Sequence, residues 1–191
     1  MIERLVNADK ELFLYLNSKH ISVLDPLMLI LSSYELWCFV FLLFAVLIWL
    51  RSREHKLSPV LFYGGAVAFS AAFTNGLKLI VQRPRPIHKS AWQGMIHNIE
   101  EYSAAYSFFS SHAATTFCIA VFVFLFFREK RFLGYMAVVW AMGVSYSRIY
   151  VSKHYPLDVL TGILFGSLIG YSGYLLLKRF RTRTNGDNVQ Q

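Results

Sequence analysis

The sequence predicts an all-α integral membrane protein: a bundle of about five transmembrane helices with an N-terminal interfacial amphipathic helix. Three observations predict it. Of the 191 residues, 55% are hydrophobic and 17% aromatic, well above the mix of a soluble globular domain. The apolar residues fall in long runs, and a helix needs about 20 mostly apolar residues to cross a bilayer. The net charge of +8 comes from basic residues gathered at the ends of those runs. Orientation in a bilayer and binding of an anionic substrate account for that placement better than nucleic acid does.

The opening stretch "MIERLVNADKELFLYLNSKH", residues 1–20, repeats Ile2, Leu5, Val6, Leu12 and Leu16 at roughly helical spacing with charges between. It is too polar to span a membrane and lacks the small-residue cleavage site of a signal peptide. The pattern predicts a helix lying in the membrane interface. Residues 21–180 then hold five apolar runs, near 27–50, 59–81, 108–127, 132–149 and 157–177. No internal repeat or second domain is visible. The polar tail 181–191 reads as disordered and cytoplasmic. Cys38 and Cys118 each lie inside an apolar run, without a second Cys or His at metal spacing, and read as packing residues.

Five spans place "RSREHK" (51–56), "REKR" (128–131) and "KRFRTR" (178–183) on one side, with ten of the nineteen Lys and Arg. The raw count is nearly even. Lys78, Arg85 and Arg148 belong to what looks like a binding site, and without them the compact basic loops mark the cytoplasmic side. The C-terminus is then inside. The amphipathic N-terminus and the ends of the second and fourth spans face outward.

Three polar clusters share that outer face. "NGLKLIVQRPRP" (75–86) closes the second span and carries Lys78, Arg83 and Arg85. "FFSSHAATT" (108–116) opens the third. "SRIYVSKHYPLD" (147–158) links the fourth to the fifth and holds Ser147, Arg148, Lys153, His154 and Asp158. Lys78, Arg85 and Arg148 would repel one another unless an anion sat between them. The planar fork of Arg matches phosphate oxygens. The third helix begins at Ser110 and Ser111, so its free backbone N–H groups and positive dipole end point to the same place. Ser110 adds a hydroxyl or a cap. The expected guest is a phosphate group.

His112 and His154 supply the chemistry. A neutral imidazole attacks phosphorus, and a protonated one hands a proton to a leaving oxygen. Pro156 suits the first turn of a helix, which puts Asp158 within reach of His154 to fix its tautomer and stabilise its positive charge. In this reading His154 is the nucleophile, His112 the acid and then the base, and no metal or other cofactor is needed because the cations do the electrostatic work.

These residues resemble the three-part signature of the type 2 phosphatidic acid phosphatase (PAP2) superfamily. Its first motif, Lys, six residues, Arg-Pro, is matched by "KLIVQRPRP" through Lys78, Arg85 and Pro86. Its third, Ser-Arg, five residues, His, three residues, Asp, is matched by Ser147, Arg148, His154 and Asp158. Its second, Pro-Ser-Gly-His, stands here as "FSSH": Ser110 and His112 agree, while Phe109 and Ser111 replace proline and glycine. The resemblance implies a helical core, phosphate held by Lys78, Arg85, Ser110 and Arg148, His154 as nucleophile, His112 as general acid, Asp158 as orienter, and no metal; Ser111, where the family has glycine, is read as a further phosphate-binding residue.

A site opening at the outer leaflet favours a lipid phosphate. Short bacterial relatives include undecaprenyl-diphosphate, lipid A and phosphatidylglycerophosphate phosphatases. The small size fits the first two, in a bacterial inner membrane with the site facing the periplasm or exterior. The motifs are shared with a lipid-to-lipid phosphotransferase, and a non-enzymatic lipid-binding or transport protein is a further alternative. Against transport, the middles of the runs lack the charges of an ion path. The segment 87–107 joins spans two and three and mixes Trp92, Met95, Ile96 and Tyr102 with His88, Lys89, His97, Glu100 and Glu101, the composition of a lid or of a solvated loop.

Overall fold

A computed structural model describes residues 2–52, 56–100 and 106–187. All regular secondary structure in them is helical. Helix α1 spans Ile2–Ser18. A short 3-10 turn, Ser22–Leu24, leads to α2, Asp25–Ser32. Then follow α3 (Tyr34–Arg51), α4 (Leu57–Val81), α5 (Ser111–Phe126), α6 (Arg131–Tyr150) and α7 (Pro156–Asp187).

Three elements differ from expectation for identifiable reasons. The first apolar run is two helices, not one. Ser33 is extended, at φ −77° and ψ 147°, and its hydroxyl accepts from Leu36 N–H as the N-cap of α3. Helix α7 continues to Asp187, well into the stretch read as a disordered tail. Helix α1 exists, but its protein-facing stripe mixes polar and apolar residues. Asp9, Phe13 and Asn17, spaced four apart on one face, are buried, while Leu5 and Leu12 are exposed.

Among the described residues, three helices are long and apolar enough to cross a membrane: Tyr34–Arg51, Leu57–Val81 and Pro156–Thr184. Helix α5 is apolar but only 16 residues long. Helix α6 has 20 residues and carries Arg131 and Arg148 near its ends.

Helix α5 is the hub. It packs against α4, α6 and α7 and is buried through most of its length. Phe44, Ile48, Tyr63, Val67, Ile119, Phe122 and Val123 form the core at the end away from the polar clusters. Between apolar helices in lipid, close backbone packing replaces the hydrophobic effect as the driving force, and small residues make it possible. Helix α7 presents Gly162, Gly166 and Gly170 to α5. A Cβ added to them would lie 2.7 Å from Ser110 O, 2.0 Å from Ala114 O and 2.4 Å from Cys118 O, respectively. Only glycine allows that approach. It fixes the start of α5 against the start of α7, where the backbone N–H of Ser110 also donates to Asp158 O at 3.1 Å. Phe39, Leu42, Leu61, Ile80, Phe132 and Leu164 are exposed on the outside of the bundle. At the end opposite the polar clusters, Arg51 pairs with Glu129.

Candidate active site

Four helix ends build a cavity of about 240 Å³ lined by Tyr34, Trp37, Ala71, Asn75, Lys78, Arg85, Ser111, His112, Thr115, Arg148 and His154. Helix α4 delivers Asn75 and Lys78 from its last turns. It stops at Gln82, which is left-handed at φ 50°, and Pro84 and Pro86 prevent its continuation. Arg85 follows on extended backbone and is buried. Its Nε donates to Tyr106 O at 3.1 Å and its Nη1 to Lys153 O at 3.3 Å. Nη1 is also 3.4 Å from His154 Nε2. Helix α6 supplies Arg148, whose Nη1 donates to the Ser32 carbonyl at 3.2 Å and to the Ser32 hydroxyl.

The structure therefore brings Lys78, Arg85, Ser111, Arg148, His112 and His154 to one cavity. Ser110 and Asp158 stand behind it. Ser110 is fully buried and its hydroxyl accepts from Ala113 N–H at 3.3 Å, so it caps α5 and does not line the cavity. Its neighbour Ser111 does the facing. Ser111 Oγ accepts from Lys78 Nζ at 2.8 Å and donates to Asn75 Oδ1 at 3.1 Å. Asp158 Oδ2 accepts from Tyr155 N–H at 3.0 Å and lies 3.7 Å from His154 Nδ1. Ser147 is buried with its hydroxyl on Val144 O.

Several polar atoms of the cavity-lining residues are buried without a hydrogen-bond partner: His112 Nε2, Arg148 Nε and Trp37 Nε1. Buried polar groups are nearly always paired, so orphans around one cavity mark a place where a ligand supplies the partners. Burial and the charges of Arg85, Arg148 and Lys78 hold the His154 pKa well below its ordinary value, the Ser107 backbone partly opposing them. His154 is thus neutral at neutral pH, the form a nucleophile needs. Burial and Arg148 lower Arg85 to about 10, which leaves it cationic. Among the described residues no three His, Cys, Asp or Glu side chains gather as a metal site.

Sequence reasoning missed several neighbours. Tyr34 tilts over His112, ring centroids 4.9 Å apart, and Trp37 and Asn75 face the cavity. Residues on an apolar run give no sign of which face they occupy. Glu100, in the segment between α4 and α5, accepts from Ser32 Oγ at 2.9 Å and lies 3.8 Å from Arg148 Nη1 and 3.7 Å from Lys153 Nζ. Burial brings Lys153 down to about 8, with Glu100 offsetting part of that. His97 anchors the same segment: its backbone N–H donates to Asn17 Oδ1 at 2.7 Å, and its carbonyl accepts from Ser152 Oγ at 2.9 Å. Glu101 and Tyr102 lie outside the described residues.

Comparison with known proteins agrees. The model of the PAP2 superfamily matches residues 59–182. A lipid A 4'-phosphatase of Bacteroides thetaiotaomicron is 27% identical over 98% of this chain and 84% of its own length. The undecaprenyl-diphosphatase BcrC of Bacillus subtilis is 31% identical over 81% of this chain and 75% of its own. Among solved structures, LpxE of Aquifex aeolicus superposes with a TM-score of 0.66 at 24% identity, covering 85% of this chain and 92% of that one. A PAP2-type phosphatidylglycerolphosphate phosphatase of Bacillus subtilis superposes with a TM-score of 0.68 at 20% identity, covering 94% and 87%. At those identities the two structures speak for the fold alone.

Proposed function

The chain belongs to the PAP2 superfamily of phosphatases, and we propose that it removes phosphate from a membrane lipid through a phosphohistidine intermediate. The observation that carries this reading is the cavity itself: three cations and two imidazoles around one small space, with buried polar atoms lacking partners.

Lys78, Arg85 and Arg148 hold the phosphoryl oxygens, and Ser111 holds Lys78 in place. His154 Nε2 attacks phosphorus. The N–P bond forms as the bond from phosphorus to the lipid oxygen breaks, and His112 gives that oxygen its proton. Water then attacks phosphorus, His112 takes a proton from it, and the N–P bond breaks to release inorganic phosphate. Asp158, behind Nδ1, stabilises the positive charge that His154 carries in the intermediate. The clustered cations supply the charge stabilisation without a metal.

Five spans, α3 to α7, put this cavity at the outer surface and the basic loops and C-terminus inside. The transmembrane unit 21–180 then forms one domain, with α1 lying on its outer face. Tyr34 and Trp37, at the lipid-exposed start of α3, mark a lateral approach for a lipid. Undecaprenyl diphosphate and lipid A, the substrates in the names of two relatives, are the preferred guests.

The test is phosphate release by the detergent-solubilised protein in EDTA. The lipids would be undecaprenyl diphosphate, lipid A, phosphatidylglycerophosphate and phosphatidic acid, with His154→Ala alongside. Release from one lipid, lost in the variant, is expected. Activity that survives His154→Ala, or that EDTA abolishes, overturns the mechanism.

A further inference from the structure

We propose that Asp9 of the N-terminal helix is a positioning residue for the reaction: through Arg83 it holds the Asp158 carboxylate against His154. This rests on His154 as nucleophile. It makes α1, which lies outside the superfamily match, a working part of the site.

The geometry is a bridge of charges. Arg83 Nη1 donates to Asp158 Oδ1 at 2.6 Å, and Arg83 Nη2 donates to Asp9 Oδ2 at 2.6 Å. The remaining oxygens are also used. Asp9 Oδ1 accepts from Leu157 N–H at 2.8 Å, and Asp158 Oδ2 accepts from Tyr155 N–H and faces His154 Nδ1. The guanidinium lies over the Tyr155 ring, 3.9 Å from its centroid. Phe13, one turn beyond Asp9, packs on the same ring and on Trp92. Both carboxylates are essentially buried and Arg83 nearly so.

The charge count matters more than the contacts. An Arg paired with Asp158 alone would cancel the negative charge that His154 needs opposite its imidazolium-like intermediate. With Asp9 on the other prong, the group Asp9–Arg83–Asp158 carries one net negative charge. That charge sits where burial keeps electrostatic coupling strong. The rigid fork of Arg also fixes the distance between the two carboxylates, which Lys does not do. Other charges face the group from every side. Arg85, Arg148, Lys78 and His112 surround His154, while Lys89 lies near Arg83 and Lys10 near Lys89. Arg85, Arg148, Lys78, Lys10 and Lys89 are cations, and His112 joins them while it holds the proton it later donates, so the bridge is the counterweight to a positive field.

The experiment compares full-length Asp9→Asn, Asp9→Glu, Arg83→Lys and Phe13→Ala with the unmodified protein and with His154→Ala. Asp9→Asn should lower kcat about 10- to 100-fold with KM within about twofold, as loss of a residue behind a catalytic group does. It should also move the acidic limb of the rate profile to lower pH, because a less compensated Arg83 disfavours a proton on His154. Asp9→Glu should recover part of kcat. Arg83→Lys, which keeps the charge but cannot bridge both carboxylates, should resemble Asp9→Asn. Phe13→Ala should lower thermal stability and leave the pH profile in place. Unchanged kcat in Asp9→Asn or Arg83→Lys overturns the proposal. So does an equal kcat loss in Asp9→Asn and Phe13→Ala with neither profile moved, since α1 would then only need to be docked. Activity in His154→Ala removes the nucleophile and the bridge with it. An inactive His154→Ala beside an unimpaired Asp9→Asn overturns the bridge alone.

Discussion

Replacing Gly166 by alanine tests whether the contact between α5 and α7 sets the active-site geometry. The added Cβ would stand 2.0 Å from Ala114 O, 2.7 Å from Ala114 C and 2.8 Å from Ala114 Cα. Real Cβ contacts do not fall below 3.0 Å, so the helices must separate locally by about 1 Å. All three atoms are backbone, and no rotamer relieves the clash. Overpacking of this kind costs about 1–3 kcal/mol. The displacement also reaches the chemistry. Helix α5 carries His112 in its first turn and α7 carries Asp158 in its own, and the two starts are joined by the Ser110 N–H to Asp158 O bond. Misplacing a catalytic group by about 1 Å costs on the order of 100-fold in rate. Gly166→Ala should therefore lower the thermal midpoint in detergent and cut kcat/KM for phosphate release by one to two orders of magnitude. Gly64→Ala in α4 is the control. Nothing lies within 4 Å of its added Cβ, and alanine is the better helix former by about 0.5–1 kcal/mol. It should be neutral or stabilising. A Gly166→Ala protein with unmodified stability and turnover would refute the claim that this contact sets the site.

Three other outcomes follow from the site. Ser110→Ala removes the cap of α5 and should cost about 1 kcal/mol of stability. Ser111→Ala frees Lys78 instead and should raise KM with stability nearly unchanged, as calorimetry and initial rates on the same preparations would show. In the proposed mechanism the neutral form of His154 is the reactive one and its pKa is depressed, so the acidic limb of kcat/KM, corrected for the substrate's own ionisation, should lie below pH 6.5. A limb at or above that value would mean that burial and the three cations do not govern this imidazole.

The site was legible in the sequence to the extent that charges at helix ends are legible. Lys78, Arg85, Arg148, His112 and His154 interrupt apolar runs at points where alternating spans must bring them together, and they do share one cavity. What escaped were pairings over long sequence separations. Asp9 looks like any solvated charge on an amphipathic helix, and Arg83 looks like a helix-ending Arg-Pro. Only the fold shows that they meet, 74 residues apart, behind Asp158. The break at Ser33 was hidden because the short polar stretch Ser32-Ser33-Tyr34-Glu35 inside an apolar run carries no periodic signal, although a helix cap needs only one of those residues. Ser110 and Ser111 both read from sequence as phosphate-binding, with a helix cap as the alternative for Ser110; the Ser110 hydroxyl caps α5 and Ser111 lines the cavity. A helix start is located from sequence only to within a residue or two, and one residue turns a side chain about 100° around the axis.

That one-residue distinction bears on the departure of "FSSH" from the superfamily's second motif. A glycine before the histidine leaves the first turn of the helix bare, open to close approach by a phosphate. Here Ser111 puts a hydroxyl at that point, and the hydroxyl is tied to both Lys78 Nζ and Asn75 Oδ1. The replacement leaves the donor field intact and changes its make-up. A flexible lysine at the end of α4 becomes a fixed one, because Ser111 and Asn75 restrict a side chain that otherwise costs entropy to immobilise on its ligand. The histidine that follows is unchanged: His112 lines the cavity, and its Nε2 has no hydrogen-bond partner. In the proposed mechanism the altered motif therefore acts on how phosphate is held and leaves the transfer chemistry as it was. This is why the effect of Ser111→Ala is expected in KM, and that of His154→Ala in kcat.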